Sequence, residues 1–278
     1  MSAFMLMLGV AACYTVTSLS DKYAAAKAKF PPDAFTFLMC ASMSVFLALT
    51  LPFQTLYFDL RWQTFLGILL TAACKLLEFS MSIKVLRQIT AFELKAWLGV
   101  TVFASYFTDI LLGGVLQWMK LICIAVTALG LILIVCAEKP EPVDYKKLWL
   151  PLALYLLSKF GYGLVIRTFS VYASSVCILL PALVLAALCT LPRVAFSEYR
   201  EKKIGTAITI FARIPNAAGM LMENAVIAIS LAQYSLIQPM ILVTLFVIGF
   251  LRKEYGSARN LIGGIICMAG VIGFQFVL

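Results

Sequence analysis

Apolar residues run along this chain in ten continuous stretches of about 17–23 residues, and polar residues are confined to the short segments between them. An α-helix needs about 20 apolar residues to cross roughly 30 Å of hydrocarbon, so the pattern predicts ten transmembrane helices. They are placed at residues 4–20, 34–52, 62–82, 94–112, 118–137, 148–168, 175–196, 207–229, 232–249 and 260–277. Runs such as Leu179 to Leu191 and Leu121 to Cys136 are unbroken. A membrane β-barrel would alternate apolar and polar residues over segments of about ten, so the expected class is all-α. Phe30-Pro31-Pro32-Asp33 closes the first connection, and Glu138-Lys139-Pro140-Glu141-Pro142 is the most loop-like stretch. The expected organisation is therefore a five-helix unit over 1–137, a connecting loop over 138–147 and a second five-helix unit over 148–278. Val10-Ala11-Ala12-Cys13 has the look of a lipoprotein cleavage box. No positive charge precedes it, so Phe4 to Leu19 is expected to be the first mature span.

The halves match weakly at an offset of 140, pairing Ser18 with Ser158, Pro52 with Pro192, Ile68 with Ile208, Ala72 with Ala212, Leu121 with Leu261 and Gly130 with Gly270. A five-span unit ends on the side opposite its start, so a second copy would be inverted, as in many transporters. The connections after the odd-numbered spans carry sixteen Lys and Arg, and the even connections carry only Arg61, Lys120 and Arg167. The positive-inside rule then places the odd loops in the cytoplasm and both termini outside. Gly263, Gly264 and Gly270 in the last stretch, and Ala125, Ala128 and Gly130 in the fifth, let helices approach closely. That contact falls within the chain or in a homodimer.

Composition supports a bilayer setting. The chain is 63% hydrophobic and 13% charged, against about 45–50% and 25% in globular domains. The net charge of +9 belongs to cytoplasmic loops of a membrane protein, not to a nucleic-acid partner. There is no histidine, which removes imidazole metal sites and proton relays. The eight cysteines lie in or beside apolar runs with no Cys-x-x-Cys pair, and read as buried thiols. No Walker loop, nucleophile elbow or zinc-protease motif is present, so no enzyme, cofactor or metal is expected.

Charges inside spans are costly and mark functional candidates. They are Lys75 and Glu78 in the third stretch and Arg213 and Glu223 in the eighth, with Lys159 and Asp109 as weaker ones. Lys75 and Glu78 are three apart and share a helix face, either as a self-satisfied pair or lining a cavity. Arg213 corresponds to residue 73, two places from Lys75, in the repeat. Two cations converging on a pseudo-two-fold axis would favour an anionic or zwitterionic ligand. The alternative is that Arg213 bridges to Glu78 structurally. Polar companions are Asn216, Asn224, Gln233, Tyr234, Gln238, Tyr106, Tyr14 and Tyr155. Pro215 and Pro239 predict helix breaks beside Arg213 and Gln238.

The end of each half carries a further pattern. In the second half it runs Gln238-Pro239, Leu245-Phe246-Val247-Ile248-Gly249, Lys253-Glu254-Tyr255, Leu261-Ile262-Gly263-Gly264 and Ala269-Gly270-Val271. It resembles the EamA-like branch of the drug/metabolite transporter superfamily. There a Pro in the fourth helix of the unit is followed by a Gly-Glu turn and a Gly-rich last helix. Pro239, Glu254 and Gly270 match; in the first half Gly99 stands near the Pro position and Gly114 replaces the Glu. The resemblance implies ten helices in two inverted five-helix repeats around a central cavity, and secondary transport by alternating access. Small multidrug relatives exchange protons through a carboxylate in the first helix, where this chain has no acid before Asp21.

The function expected is secondary active transport of a small polar metabolite, anionic or zwitterionic, such as an amino acid or organic acid. Lys75 and Arg213 would bind its negative group, and Glu78 or Glu223 would tune them or carry a coupling proton. Asn216, Asn224, Gln238, Tyr106 and Tyr234 would shape specificity. One alternative is a proton-coupled exporter of organic cations or drugs; another is a non-transporting assembly or lipid-handling subunit. A bacterial plasma membrane is the expected location, because long polar tails and sorting signals are missing from the sequence.

Overall fold

The structure is a computed structural model and describes residues 3–111, 116–137, 143–229, 237–253 and 257–277. Nearly all of these are helical. The helices are α1 (Ala3–Ala26), α2 (Pro32–Thr50), α3 (Trp62–Leu86), α4 (Ala91–Trp97), α5 (Gly99–Leu111), α6 (Trp118–Val135), α7 (Tyr145–Phe169) and α8 (Ser175–Thr190). They continue with α9 (Ser197–Glu201), α10 (Lys203–Phe211), α11 (Arg213–Ile229), α12 (Ile237–Leu251) and α13 (Ala258–Phe276). Among the described residues the β-structure is one isolated bridge between Phe58 and Ala173.

Five helical segments among the described residues are long and apolar enough to cross a membrane: Pro32–Phe53, Trp62–Leu86, Trp118–Val135, Tyr145–Ile166 and Ser175–Arg193. At 1.5 Å rise per residue, segments of this length reach about 27–38 Å, enough for the hydrocarbon layer. The core is mostly apolar, with Phe30, Phe35, Leu47 and Ile83 fully buried, and it also encloses polar and charged side chains. Thr36, Thr64, Thr71, Lys75, Glu78 and Arg213 are buried, whereas Leu49, Phe65, Leu69, Trp149, Leu150 and Leu188 are exposed. Large apolar side chains facing outward, around a core that also buries charged groups, fit a lipid solvent, and the chain is an integral membrane protein.

Element boundaries follow local chemistry. α1 continues to Ala26, past the apolar limit near residue 20, because its polar end finds partners. The Lys22 ammonium donates to the Leu86 carbonyl at 2.8 Å and the Ser20 hydroxyl to the Ile208 carbonyl at 3.3 Å. The expected fourth stretch is divided at Leu98, just before Gly99. Thr90 caps its start, its hydroxyl accepting from the Glu93 N–H at 3.1 Å. The eighth is divided at Ala212. Pro215 is the third residue of α11, and its ring would clash with the carbonyl of Phe211, the last residue of α10. The break expected beside Arg213 therefore falls one residue before it.

The chain packs as two compact units, each drawing on both halves of the sequence. One comprises Met1–Ser18, Gln88–Asp144 and Ala218–Leu278. Its dominant contact is α6 against α13. A Cβ on Gly130 would lie 2.7 Å from Cys267 Cα, and one on Gly270 would lie 2.6 Å from the Thr127 backbone nitrogen. The helices meet backbone on backbone, which glycine alone permits. The contact is also reciprocal at the offset of 140: Gly130 on Cys267 mirrors Gly270 on Thr127, and Gly263 on Leu133 mirrors Gly273 on Cys123.

The other unit comprises Leu19–Arg87 and Tyr145–Ala217, built on α3 against α7 and on α2 and α3 against α8. α2 and α8 end alike, in Thr50-Leu51-Pro52 and Thr190-Leu191-Pro192. The Thr50 hydroxyl donates to Leu47 O at 2.7 Å and that of Thr190 to Ala187 O at 3.0 Å. A 3-10 turn follows each, over Leu51–Phe53 and Leu191–Arg193. The loop after α2 clasps the loop after α7: the Asp59 N–H donates to Tyr172 O at 2.8 Å and the Ser174 N–H to Tyr57 O at 2.9 Å. The segment after α8 clasps the turn after α1 and the start of α2, with the Lys202 ammonium donating to Lys29 O at 3.0 Å and the Tyr199 hydroxyl to Ala34 O at 2.8 Å.

Candidate functional site

The strongest concentration of charge described inside a candidate span lies between α3 and α7. Helical spacing puts Lys75 and Glu78 on the face of α3 that packs against α7. The Lys75 ammonium donates to Glu78 Oε2 at 2.8 Å. Lys159 of α7 pairs with the other carboxylate oxygen, Oε1. One carboxylate thus holds two ammonium groups. Tyr162, one turn beyond Lys159, lays its ring over the Lys75 ammonium, with 3.8 Å from nitrogen to centroid. A cation over an aromatic face is attracted by the ring quadrupole. Phe79 lies on the same cation at 5.7 Å.

Access within the cluster is unequal. The side chains of Lys75 and Glu78 are 11% and 6% exposed, and that of Lys159 is 29% exposed. Lys159 is the least buried of the three. Tyr155 is buried one turn before it, within electrostatic reach of Lys159, Glu78 and Asp21. Removing ions from water costs several kcal/mol each, and the mutual pairing of the three groups offsets part of that cost. Counted with both lysines protonated, two cations against one anion give the cluster one positive charge.

Arg213 has a carboxylate of its own. It is the largest fully buried side chain among the described residues, 1% exposed, and its Nη2 donates to Asp21 Oδ1 at 2.6 Å. Its Nε donates back to the Thr209 carbonyl at 3.3 Å. This bridge stands in place of the alternative one from Arg213 to Glu78, because Glu78 is taken by the two lysines. At the offset of 140, Asp21 and Arg213 correspond to residues 161 and 73, and a Cβ on Gly161 would lie 3.4 Å from the Cys74 sulfur. The α1–α11 and α7–α3 contacts each carry an ion pair.

The remaining candidates are dispersed. Asn216, half-buried, points its amide at the Met43 sulfur at 3.5 Å, a weak contact. The Tyr106 hydroxyl accepts from the Gln117 N–H at 2.7 Å, and its ring packs on Phe274 and beneath Lys120. Tyr14 packs on Gly219. The side chains of Asp109, Glu223, Asn224 and Gln238, and the whole of Gln233, Tyr234, Gly114 and Glu254, lie outside the described residues. Sequence reasoning ranks Lys159 low and does not single out Tyr162. The available signal is their spacing of three, which sets both on one face of α7. Set against protein-family models and curated proteins, the sequence matches none of them.

Proposed function

We propose that this protein is a secondary active transporter that carries a small, negatively charged polar metabolite across the membrane by alternating access. The observation that carries the reading is the Lys75–Glu78–Lys159 cluster, buried between apolar helices whose outer faces are exposed Leu, Phe and Trp. Ionisable residues kept in a membrane usually serve a ligand or ion path. An excess of cations favours an anion over a cation, since an organic cation would have to displace a lysine from Glu78.

The proposal includes ten spans in two inverted five-helix repeats of drug/metabolite transporter type, with both termini outside. Its support is the reciprocal packing of Gly130 and Gly270, the matching ends of α2 and α8, and the paired α1–α11 and α7–α3 contacts. The test is uptake of labelled organic and amino acids into proteoliposomes containing the purified protein. Uptake is expected for an anionic class and is expected to fall at least about tenfold in Lys159→Gln. Absence of flux for every class, together with no labelling of a cysteine placed at position 159 by a soluble thiol reagent from either side, would sink the proposal.

A further inference from the structure

We infer that the Lys75–Glu78–Lys159 cluster selects ligands with a single net negative charge, a monocarboxylate in the simplest case. The inference rests on the transport reading and narrows it. Glu78 divides its two oxygens between the two ammonium groups. The Tyr162 ring lies over the Lys75 ammonium at 3.8 Å, and the Lys75 side chain is only 11% exposed, so it is the less accessible cation. Lys159 is the partly open member, so a ligand carboxylate meets it first. Two carboxylates and two ammonium groups then alternate, and the site is neutral.

The same count disfavours the other charge classes. A dianion brings a second negative charge for which the cluster has no cation. Arg213 cannot supply one, being 1% exposed and held by Asp21. A zwitterion brings its own ammonium beside two lysines, where like charges in low dielectric repel strongly. Unpaired charge away from water is the costly outcome in both cases.

Three probes share a three-carbon skeleton and differ in charge: lactate carries one negative charge at neutral pH, malonate two, and alanine none overall. Thermal stabilisation of the purified full-length protein measures their binding by mass action. Lactate is expected to stabilise the wild-type protein at concentrations at least about tenfold below those needed for malonate or alanine. Glu78→Gln adds one positive charge to the cluster and should move malonate ahead of lactate. Lys159→Gln makes the cluster neutral and should weaken lactate at least about tenfold, with Lys159→Arg restoring it. The wild-type ranking requires no variant, so a substitution that fails to fold leaves the test intact. The inference is overturned if malonate or alanine ranks first, if none of the three stabilises the protein, or if Glu78→Gln leaves the order unchanged. Flux in proteoliposomes separates the two layers. Lactate binding without flux removes the transporter and keeps the charge rule; flux of a dianion or zwitterion keeps the transporter and removes the charge rule.

Discussion

Arg213 and Asp21 form a buried pair whose two members depend on each other. Asp21→Asn leaves a guanidinium uncompensated away from water and should cost about 3–5 kcal/mol. Replacing both partners, with Asp21→Leu and Arg213→Met, should recover most of that loss. Melting temperatures of the two variants in detergent decide it: equal losses would mean that the pair contributes nothing and that packing alone accounts for the effect. The charge of Arg213, its place in an apolar stretch and the proline two residues on are all visible locally. Its partner is 192 residues distant, at what reads as the polar edge of the first span. No periodicity links the two, so the pairing is not legible in the sequence. Lys75 and Glu78 are legible because three-residue spacing dictates a shared face. Lys159 is only half legible, because which faces of α3 and α7 meet is a property of packing.

At the scale of elements, the apolar stretches locate the helices well and their interruptions less well. Hydropathy sums over a window and passes through Leu98 and Ala212, where α4 gives way to α5 and α10 to α11. Pro215 carries the second interruption, since a missing N–H and a ring clash act on the preceding turn. Gly99 is a weaker sign of the first. The glycines of α6 and α13 are legible as a close contact, and their mutual placement is not. Gly130→Ala and Gly270→Ala each press a methyl group onto an opposing backbone that cannot rotate away. Each is expected to destabilise by about 1–3 kcal/mol, and by similar amounts because the contact is reciprocal. A methyl group on Gly163 would meet nothing within 4 Å, so Gly163→Ala is the control. It should be neutral or slightly stabilising, as Ala is the better helix former. If all three variants melt together, α6 and α13 do not touch through their backbones.

For the whole molecule, burial of polar residues beneath an apolar exterior places the charge cluster in a setting where net charge has consequences beyond recognition. With both lysines protonated, the two-to-one ratio of ammonium to carboxylate gives one positive charge, which in the proposed transport cycle would travel with the site. An electric potential does work on such a charge, about 2.3 kcal/mol per 100 mV for full passage across the bilayer. Under the transport proposal, a bound monoanion would cancel that charge and the loaded site would cross without feeling the field. The empty site would feel it. Exchange of internal for external ligand should therefore proceed at the same rate whatever voltage is imposed by a potassium gradient and valinomycin. Net uptake, which requires the empty site to return, should change with that voltage. Uptake and exchange that respond alike would mean that the charge of Lys159 is balanced by another group, and that the membrane potential has no hold on this cycle.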